Sequence, residues 1–219
     1  MNMVLGGLNE YVAYIGSDEA GKGEWLGPLI VAAVALSRQQ RSYLVTQGVM
    51  DSKELRLDVI VELAKVIQRS CLSYHAMTIS PLSFNDLMKQ VKGEGRSLND
   101  ILAWGHSQAI GNVFEELTRN GISGKIKLSI DMFDQIKTEA RLKKIIDLEK
   151  FDLDHRPKAE SETSVAAASI VARAVRELWI DEKSKELRLD LRKLSVNEAI
   201  SRSDAGNFAK VSFLKRRKL

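Results

Sequence analysis

The segment Gly27-Pro-Leu-Ile-Val-Ala-Ala-Val-Ala-Leu36 is apolar at almost every position. A strand without polar alternation is buried on both faces, so this segment predicts a sheet that helices cover on both sides. The preceding segment, Tyr11-Val-Ala-Tyr-Ile-Gly-Ser17, predicts a second strand. The connection from Asp18 to Leu26 is shorter than the dozen or more residues of a parallel crossover. We therefore expect the two strands to pair antiparallel.

Strand and helix patterns continue along the chain. The spacing of apolar residues predicts helices over Leu55–Ile67, from near Ser80, over Leu98–Leu117, Lys137–Leu148 and Ser164–Arg176, and strands over Cys71–Ile79 and Ile126–Asp131. The stretch His155–Glu160 is polar and is interpreted as a connection. This mixture predicts an α/β fold in a single domain over residues 1–219, because 219 residues are too few for two full enzymatic domains.

Composition and charge exclude some classes of protein. With 44% hydrophobic and 28% charged residues, the chain is typical of a globular protein rather than a disordered one. The net charge of +4 suits a polyanionic partner without requiring one. The segment Lys210–Leu219 holds five basic side chains and no acid, so we expect a solvated basic tail over about 208–219.

Cellular location is constrained by what the sequence does not contain. Cys71 is the only cysteine, which excludes an intrachain disulfide and a cysteine-rich zinc site and fits a reducing compartment. The first eleven residues do not resemble a signal peptide, and no apolar run reaches the length of a membrane span. We expect a cytoplasmic, monomeric protein that does not associate with membranes and has no obligate protein partner.

Acidic residues stand where predicted strands end. Asp18 and Glu19 follow the first strand, and adjacent carboxylates there are costly unless a cation neutralises them. Asp131 ends another short strand, and ligands of open α/β sheets gather at strand ends. Taken singly, the Asp18-Glu19 pair is also typical of an exposed acidic turn, and Asp131 of an ordinary turn. Glu160 precedes a helix whose first turns are alanine and serine, small enough to lie close against the sheet.

Together these four acids offer the oxygen ligands that Mg²⁺ and Mn²⁺ prefer. Such hard cations keep several waters and complete their shell with phosphate oxygens. The pattern indicates two-metal hydrolysis of a phosphodiester, with Asp18, Glu19, Asp131 and Glu160 as both catalytic and metal-binding residues.

The sequence around these acids resembles a known family. The stretch Gly16-Ser-Asp-Glu-Ala-Gly-Lys-Gly-Glu-Trp-Leu-Gly-Pro-Leu29 is similar to the signature of type 2 ribonucleases H, and more similar to the ribonuclease HIII branch than to the HII branch. Weaker blocks follow in family order: Asp51-Ser-Lys-Glu-Leu55, Leu98-Asn-Asp-Ile-Leu-Ala-Trp-Gly-His106, Ile130-Asp-Met-Phe133, Lys158-Ala-Glu-Ser161, Ala166-Ala-Ala-Ser-Ile-Val-Ala-Arg173 and Phe208-Ala-Lys-Val-Ser-Phe213.

This resemblance implies a ribonuclease H-like fold, a central mixed sheet of about five strands flanked by helices. It implies an endonuclease that cuts the RNA strand of RNA/DNA hybrids with Mg²⁺ or Mn²⁺, leaving 5′-phosphate and 3′-hydroxyl ends. It also implies Asp18, Glu19 and Asp131 as metal ligands, with Glu160 as the fourth acid. Glu162 remains the rival for that role, because the spacing from Glu160 to Ser169 is one residue shorter than in some relatives.

The resemblance also implies substrate-binding residues. Gly21 and Gly23 have no Cβ to keep the backbone from a sugar edge, so their backbone groups could contact the 2′-hydroxyl, and Lys22 a phosphate. Ser52 and Lys53 would bind the nucleic-acid backbone farther along, although Asp51-Ser-Lys also fits an ordinary helix start. Asn99 belongs to the same expected set. A lone histidine beside a tryptophan is more often packed or at the surface, so His106 receives no catalytic role.

Two departures from the family qualify the expected activity. Ribonuclease HIII proteins usually carry an N-terminal substrate-binding domain, whereas only about ten residues precede the first strand here, so we expect weaker, salt-sensitive hybrid binding. The HII branch uses a tyrosine in its C-terminal half to recognise a lone ribonucleotide. This chain has no tyrosine in its second half, so we expect poor incision at a lone ribonucleotide. A DNA nuclease or strand-transfer enzyme of the same fold and a non-catalytic hybrid-binding protein remain alternatives.

Overall fold

The computed structural model describes residues 11–49, 55–131, 135–156 and 162–216. This part of the chain contains one sheet of five strands, which are β1 (Ala13–Ala20), β2 (Leu29–Leu36), β3 (Ser73–Ile79), β4 (Ile126–Asp131) and β5 (Phe151–Arg156). The strand order is β3-β2-β1-β4-β5. The first three strands pair antiparallel, while β4 and β5 run parallel to β1. The expected mixed five-stranded sheet and the antiparallel pairing of β1 with β2 are confirmed.

Helices cover both faces of this sheet. In the described ranges they are α1 (Arg38–Thr46), α2 (Leu57–Ser70), α3 (Pro81–Gly93), α4 (Leu98–Arg119), α5 (Gln135–Leu142), α6 (Thr163–Leu187), α7 (Val196–Ser201) and α8 (Val211–Arg216). Helices α2 and α6 share one apolar cluster with β2, and α3 and α4 share another with the opposite face of the same strand. Every residue of β2 is buried, as its unbroken apolar sequence predicts.

The alternation along β1 and β2 decides which face receives each side chain. Ala32, on the α6 face of β2, pairs with Asp18, and Val31, on the α4 face, pairs with Glu19. Because successive side chains of a strand point to opposite faces, Asp18 lies on the α6 face and Glu19 on the α4 face. The two adjacent acids are therefore presented to different helices.

Two glycines let these helices come close to the sheet. A Cβ on Gly16 of β1 would lie 2.1 Å from the carbonyl carbon of Ser164 in α6. A Cβ on Gly105 of α4 would lie 2.8 Å from Cγ2 of Val31. The expected close packing of the alanine- and serine-rich helix on the sheet is confirmed, and α4 approaches the other face in the same way.

Several element boundaries differ from the prediction. Strand β1 continues through Ala20, because β2 pairs with Asp18, Glu19 and Ala20, so the two acids lie inside the strand rather than in the loop. The expected connection over His155–Glu160 begins as the end of β5, an edge strand that the sequence analysis missed. Helix α5 ends at Leu142, short of the predicted Leu148, whereas α6 extends to Leu187.

The C-terminal part forms a third apolar cluster. Phe208, Ala209 and Leu214 are buried with residues of α6 and α7 and pack against Trp25 and Leu26. The expectation of a solvated tail from about residue 208 was therefore wrong for residues 208–214. Net positive charge did not reveal that the apolar residues between the basic ones are packed.

Candidate metal and substrate site

Two aspartates meet where β1 and β4 run side by side. Asp18 is 7% exposed, and its Oδ1 accepts a hydrogen bond of 2.8 Å from the backbone N–H of Glu19. The parallel register pairs Ser17 with Ile130, and the next residues of the two strands are Asp18 and Asp131. Neighbouring strands lie about 4.8 Å apart, so the backbones of these two aspartates are adjacent. The fold thus brings together two acids that are distant in the sequence.

Glu19 is held on the other face of β1 by two cationic or donor groups. Its Oε2 lies 3.0 Å from Nε2 of His106, and its Oε1 lies 3.1 Å from Nζ of Lys22. Burial alone would raise the pKa of Glu19, but the hydrogen bond and charge of His106, with those of Lys22, lower it to about 2. Glu19 is therefore ionised at neutral pH despite its burial.

His106 is completely buried, and its ring bridges β1 and α4. Its Nδ1 lies 2.7 Å from Oγ of Ser17, and that oxygen lies 2.8 Å from the carbonyl of Ala32. The single Ser17 hydroxyl proton goes either to the carbonyl or to Nδ1. Because an ionised carboxylate can only accept, Nε2 of His106 is the donor in the contact with Glu19. His106 thus fixes the orientation of Glu19.

Sequence reasoning gave His106 no role, although a signal was present. The histidine falls within the apolar stripe of α4 that includes Leu102, Ala109 and Val113, all of them buried. It follows Gly105, and a glycine inside a helix indicates close packing. A polar side chain in such a stripe needs a buried partner, which here is an acid of the predicted site.

The two glycines of the loop after β1 have different structural reasons. Gly21 is buried with φ of +89°, and a Cβ there would lie 2.2 Å from the Pro28 carbonyl oxygen. The conformation of the loop itself therefore requires glycine at position 21. Gly23 is exposed, and a Cβ there would meet nothing within 4 Å. Of the two, Gly23 is the position where a missing Cβ leaves room for an approaching molecule.

Other predicted residues stand at different distances from Glu19. Lys22 is adjacent and half-exposed. Asn99 is near the start of α4, seven residues before His106, which corresponds to about 10 Å along the helix axis. Ser52, Lys53 and Glu160 lie outside the described residues, as does the side chain of Asp131.

Glu162, the rival for the fourth acid, is engaged elsewhere. Its Oε1 lies 2.5 Å from a guanidinium nitrogen of Arg41, and Oε2 lies 4.0 Å from Nζ of Lys127. Arg41 in turn stacks on the ring of Tyr14, four residues before Asp18 in β1. Four strand residues span about 13 Å, so Glu162 is held near the far half of the strand. This arrangement favours Glu160 over Glu162.

The donor set fits a hard divalent cation. Asp18, Glu19 and Asp131 offer only carboxylate oxygens, the ligands that Mg²⁺ and Mn²⁺ prefer. No group of three metal-binding side chains assembles among the side chains that the structure describes, a set that excludes those of Asp131 and Glu160. Asp18 and Glu19, the predicted ligands whose side chains are described, are adjacent in β1 and face opposite sides of the sheet.

Comparison with known proteins places this chain in a family. A family model for ribonuclease HII matches residues 15–198. The chain belongs to the ribonuclease HII family. The match begins inside β1 and continues through α6, and it therefore includes every predicted carboxylate.

Within the ribonuclease HII family, the similarity lies with the ribonuclease HIII branch. The ribonuclease HIII of Protochlamydia amoebophila is 37% identical over 182 residues, which are 82% of this chain and 56% of the relative. That of Oceanobacillus iheyensis is 35% identical over 185 residues, 82% of this chain and 57% of the relative. The chain spans about half the length of the curated relatives it matches.

Solved structures share the fold. Bst ribonuclease HIII, determined in complex with Mn²⁺, superposes with a TM-score of 0.78 at 24% identity, covering 96% of this chain and 70% of that one. The ribonuclease HII of Archaeoglobus fulgidus, determined in complex with PCNA, gives a TM-score of 0.59 at 29% identity, covering 80% and 77%. The ribonuclease H-like fold is thereby confirmed. Among the described residues, no helix is both long and apolar enough to cross a membrane.

Proposed function

We propose that this chain is an endoribonuclease that cuts the RNA strand of RNA/DNA hybrids and leaves 5′-phosphate and 3′-hydroxyl ends. The observation that carries the proposal is the parallel pairing of β1, which contains Asp18 and Glu19, with β4, which ends at Asp131. Membership of the ribonuclease HII family supports this reaction for such a carboxylate arrangement.

Asp18, Glu19, Asp131 and Glu160 are the proposed ligands of Mg²⁺ or Mn²⁺. When bound, two such ions would supply Lewis-acid activation of the phosphate and of the attacking water. The Mn²⁺ complex of Bst ribonuclease HIII supports the choice of metal. The part played by the chain itself is to hold the carboxylates ionised and oriented, as His106 does for Glu19.

The loop after β1 is the proposed reader of the RNA strand. We define residues 21–28 as the glycine loop. Exposed Gly23 leaves the backbone open to a ribose edge, where amide and carbonyl groups can bind the 2′-hydroxyl that distinguishes RNA from DNA. Lys22 is placed to exchange its partner Glu19 for a phosphate oxygen. Ser52, Lys53 and Asn99 are proposed contacts farther along the duplex.

One cleavage assay tests this function. The protein is incubated with end-labelled RNA/DNA hybrid, with a DNA duplex and with single-stranded RNA, each in Mg²⁺, Mn²⁺ or EDTA. We expect cleavage of the hybrid alone, within its RNA strand, and only with metal. Cleavage of the plain DNA duplex would favour a DNA nuclease of the same fold, and hybrid binding without cleavage would favour a non-catalytic binding protein.

A fourth substrate tests the expected preference among hybrids. Because this chain has no tyrosine after Tyr74, we expect poor incision of a DNA duplex that contains one embedded ribonucleotide. Stretches of several ribonucleotides should be cut efficiently. Equal rates on both substrates would contradict this preference while leaving the hybrid activity intact.

A further inference from the structure

Lys210 is completely buried, although it opens the most basic segment of the chain. Its Nζ donates to the carbonyl oxygen of Gly27 at 2.6 Å and lies 3.4 Å from that of Pro28. The ring of Phe84 lies 5.7 Å from Nζ on another side. The hydrogen-bond partners of this buried ammonium group are thus carbonyl oxygens of the glycine loop.

Burying an ammonium group on such partners is costly. Desolvation, with the nearby charge of Arg176, lowers the pKa of Lys210 to about 7, and the charge of Glu24 opposes this only in part. An apolar side chain at this position would avoid that penalty. The presence of a lysine here is therefore best explained by the carbonyl groups of Gly27 and Pro28 to which it donates.

Arg176 holds the preceding carbonyl of the same loop. It donates from one guanidinium nitrogen to the carbonyl oxygen of Leu26 at 3.0 Å and forms an ion pair with Glu177. Its side chain also packs against Gly21, where a Cβ would lie 3.2 Å from Nε. Two buried or nearly buried basic side chains thus donate to consecutive carbonyls at the end of the glycine loop.

The backbone of residues 208–211 lies beside the same loop. The Gly27 N–H donates to Phe208 O at 2.9 Å, and the Lys210 N–H donates to Trp25 O at 2.7 Å. From α3, Asn85 binds the flanking groups, the carbonyl of Ala209 and the N–H of Val211. A short antiparallel bridge between Leu26 and Ala209, which are far apart in the sequence, therefore positions Lys210 beside the glycine loop.

We propose that Lys210 is a positioning residue for substrate binding, which fixes the carbonyls of Gly27 and Pro28 and so holds the glycine loop in the shape that receives the hybrid. This inference rests on the proposed function, because it takes the glycine loop as the reader of the RNA strand. Lys210 touches neither Asp18 nor Glu19, the metal-site acids whose side chains the structure describes, so its loss should weaken substrate binding more than it slows the chemical step.

The test replaces Lys210 by methionine, similar in length but without donors. We expect Lys210→Met to raise KM for the hybrid about tenfold or more while kcat changes by less than about threefold, since small misplacements of binding groups have effects of this size. Hydrogen exchange of peptides covering residues 21–28 and 208–211 should accelerate, while peptides of α4 and β4 exchange as in the wild type. Lys193→Met, at an 87% exposed lysine, is the matched control and should change neither measurement.

Unchanged KM with unchanged exchange in the glycine loop would overturn the proposal, and so would a loss confined to kcat. If Lys210→Met fails to fold, Asn85→Ala takes its place, because it releases residues 208–211 without emptying the core. Raised KM and faster exchange in Asn85→Ala would support the proposal, and wild-type values would contradict it. The exchange measurement needs no turnover, so a failure of the proposed function and a failure of this inference remain distinguishable.

Discussion

At the scale of single residues, Glu19 depends on His106 for both its charge and its direction. The contact of 3.0 Å between Nε2 and Oε2 is fully shielded on the histidine side. An ionised carboxylate in this position is prepared for a cation, because no proton has to be displaced when the metal binds. The histidine acts on the metal site through Glu19 rather than on the substrate.

Replacing this partner should weaken metal binding. We expect His106→Ala to lower the affinity for Mn²⁺ and the rate of hybrid cleavage by roughly 10- to 100-fold, the usual cost of losing a partner of a metal ligand. Isothermal titration with Mn²⁺ measures the first quantity without turnover. His75→Ala, on β3 and outside this contact, is the control and should bind Mn²⁺ as the wild type does.

The two glycines of the loop after β1 should respond differently to alanine. Gly21→Ala places a side chain at φ of +89° and against the Pro28 carbonyl, so we expect a loss of at least about 1 kcal/mol in the free energy of unfolding. Gly23→Ala meets no neighbour and should keep wild-type stability while losing hybrid cleavage. Urea denaturation and a cleavage assay distinguish the two cases. Equal stability of both variants would show that this structural difference has no energetic consequence.

Among the strands and helices, the buried strands were predictable because their sequences are apolar over several consecutive residues. The apolar run of β2 and the short strand β4 both appear where expected. Strand β5 was missed because Phe151-Asp-Leu-Asp-His-Arg156 contains three charged residues and lies at the sheet edge, where polar side chains are tolerated. Its alternation of apolar and polar residues was the available signal.

Contacts between distant elements could not be predicted from local pattern. The bond from His106 to Glu19 requires α4 to pack on β1, and the bond from Lys210 to Gly27 joins residues 183 positions apart. Motif order in the sequence predicted the acids as a set, but it did not show which side chains contact them. Those partners became visible only through the register of the sheet and the approach of the helices.

The burial of Lys210 at this contact should affect stability as a function of pH. Its pKa is lowered from 10.5 to about 7 in the folded protein, so between these values the unfolded chain binds the additional proton. Stability from this group therefore rises as pH increases from about 7 toward 10.5 and is constant below that range. Urea denaturation at pH 6, 7, 8 and 9 should show that, above pH 7, the free energy of unfolding of the wild type rises relative to that of Lys210→Met. Parallel pH profiles of the two proteins would contradict this.

In the sheet as a whole, the strand order places the backbones of Asp18 and Asp131 side by side. The strand β4 follows β3 in sequence by way of α3 and α4, but it pairs with β1 and runs parallel to it. Asp18, inside β1, and Asp131, at the end of β4, therefore lie on neighbouring strands in the middle of the sheet, between helix layers on both faces. The overall fold is shared with Bst ribonuclease HIII, with a TM-score of 0.78.

Whether Asp131 belongs to a metal site is tested most directly by the turnover of Asp131→Asn on RNA/DNA hybrid in Mg²⁺ or Mn²⁺. Circular dichroism and the melting temperature first establish that the variant folds like the wild type. Asparagine keeps the size of the side chain but removes the charge that a cation requires. We expect cleavage to fall at least about a thousandfold, since removal of a central catalytic group typically costs that much or more. Cleavage within a few fold of wild type would remove Asp131 from the site and contradict the convergence of the acids on a metal.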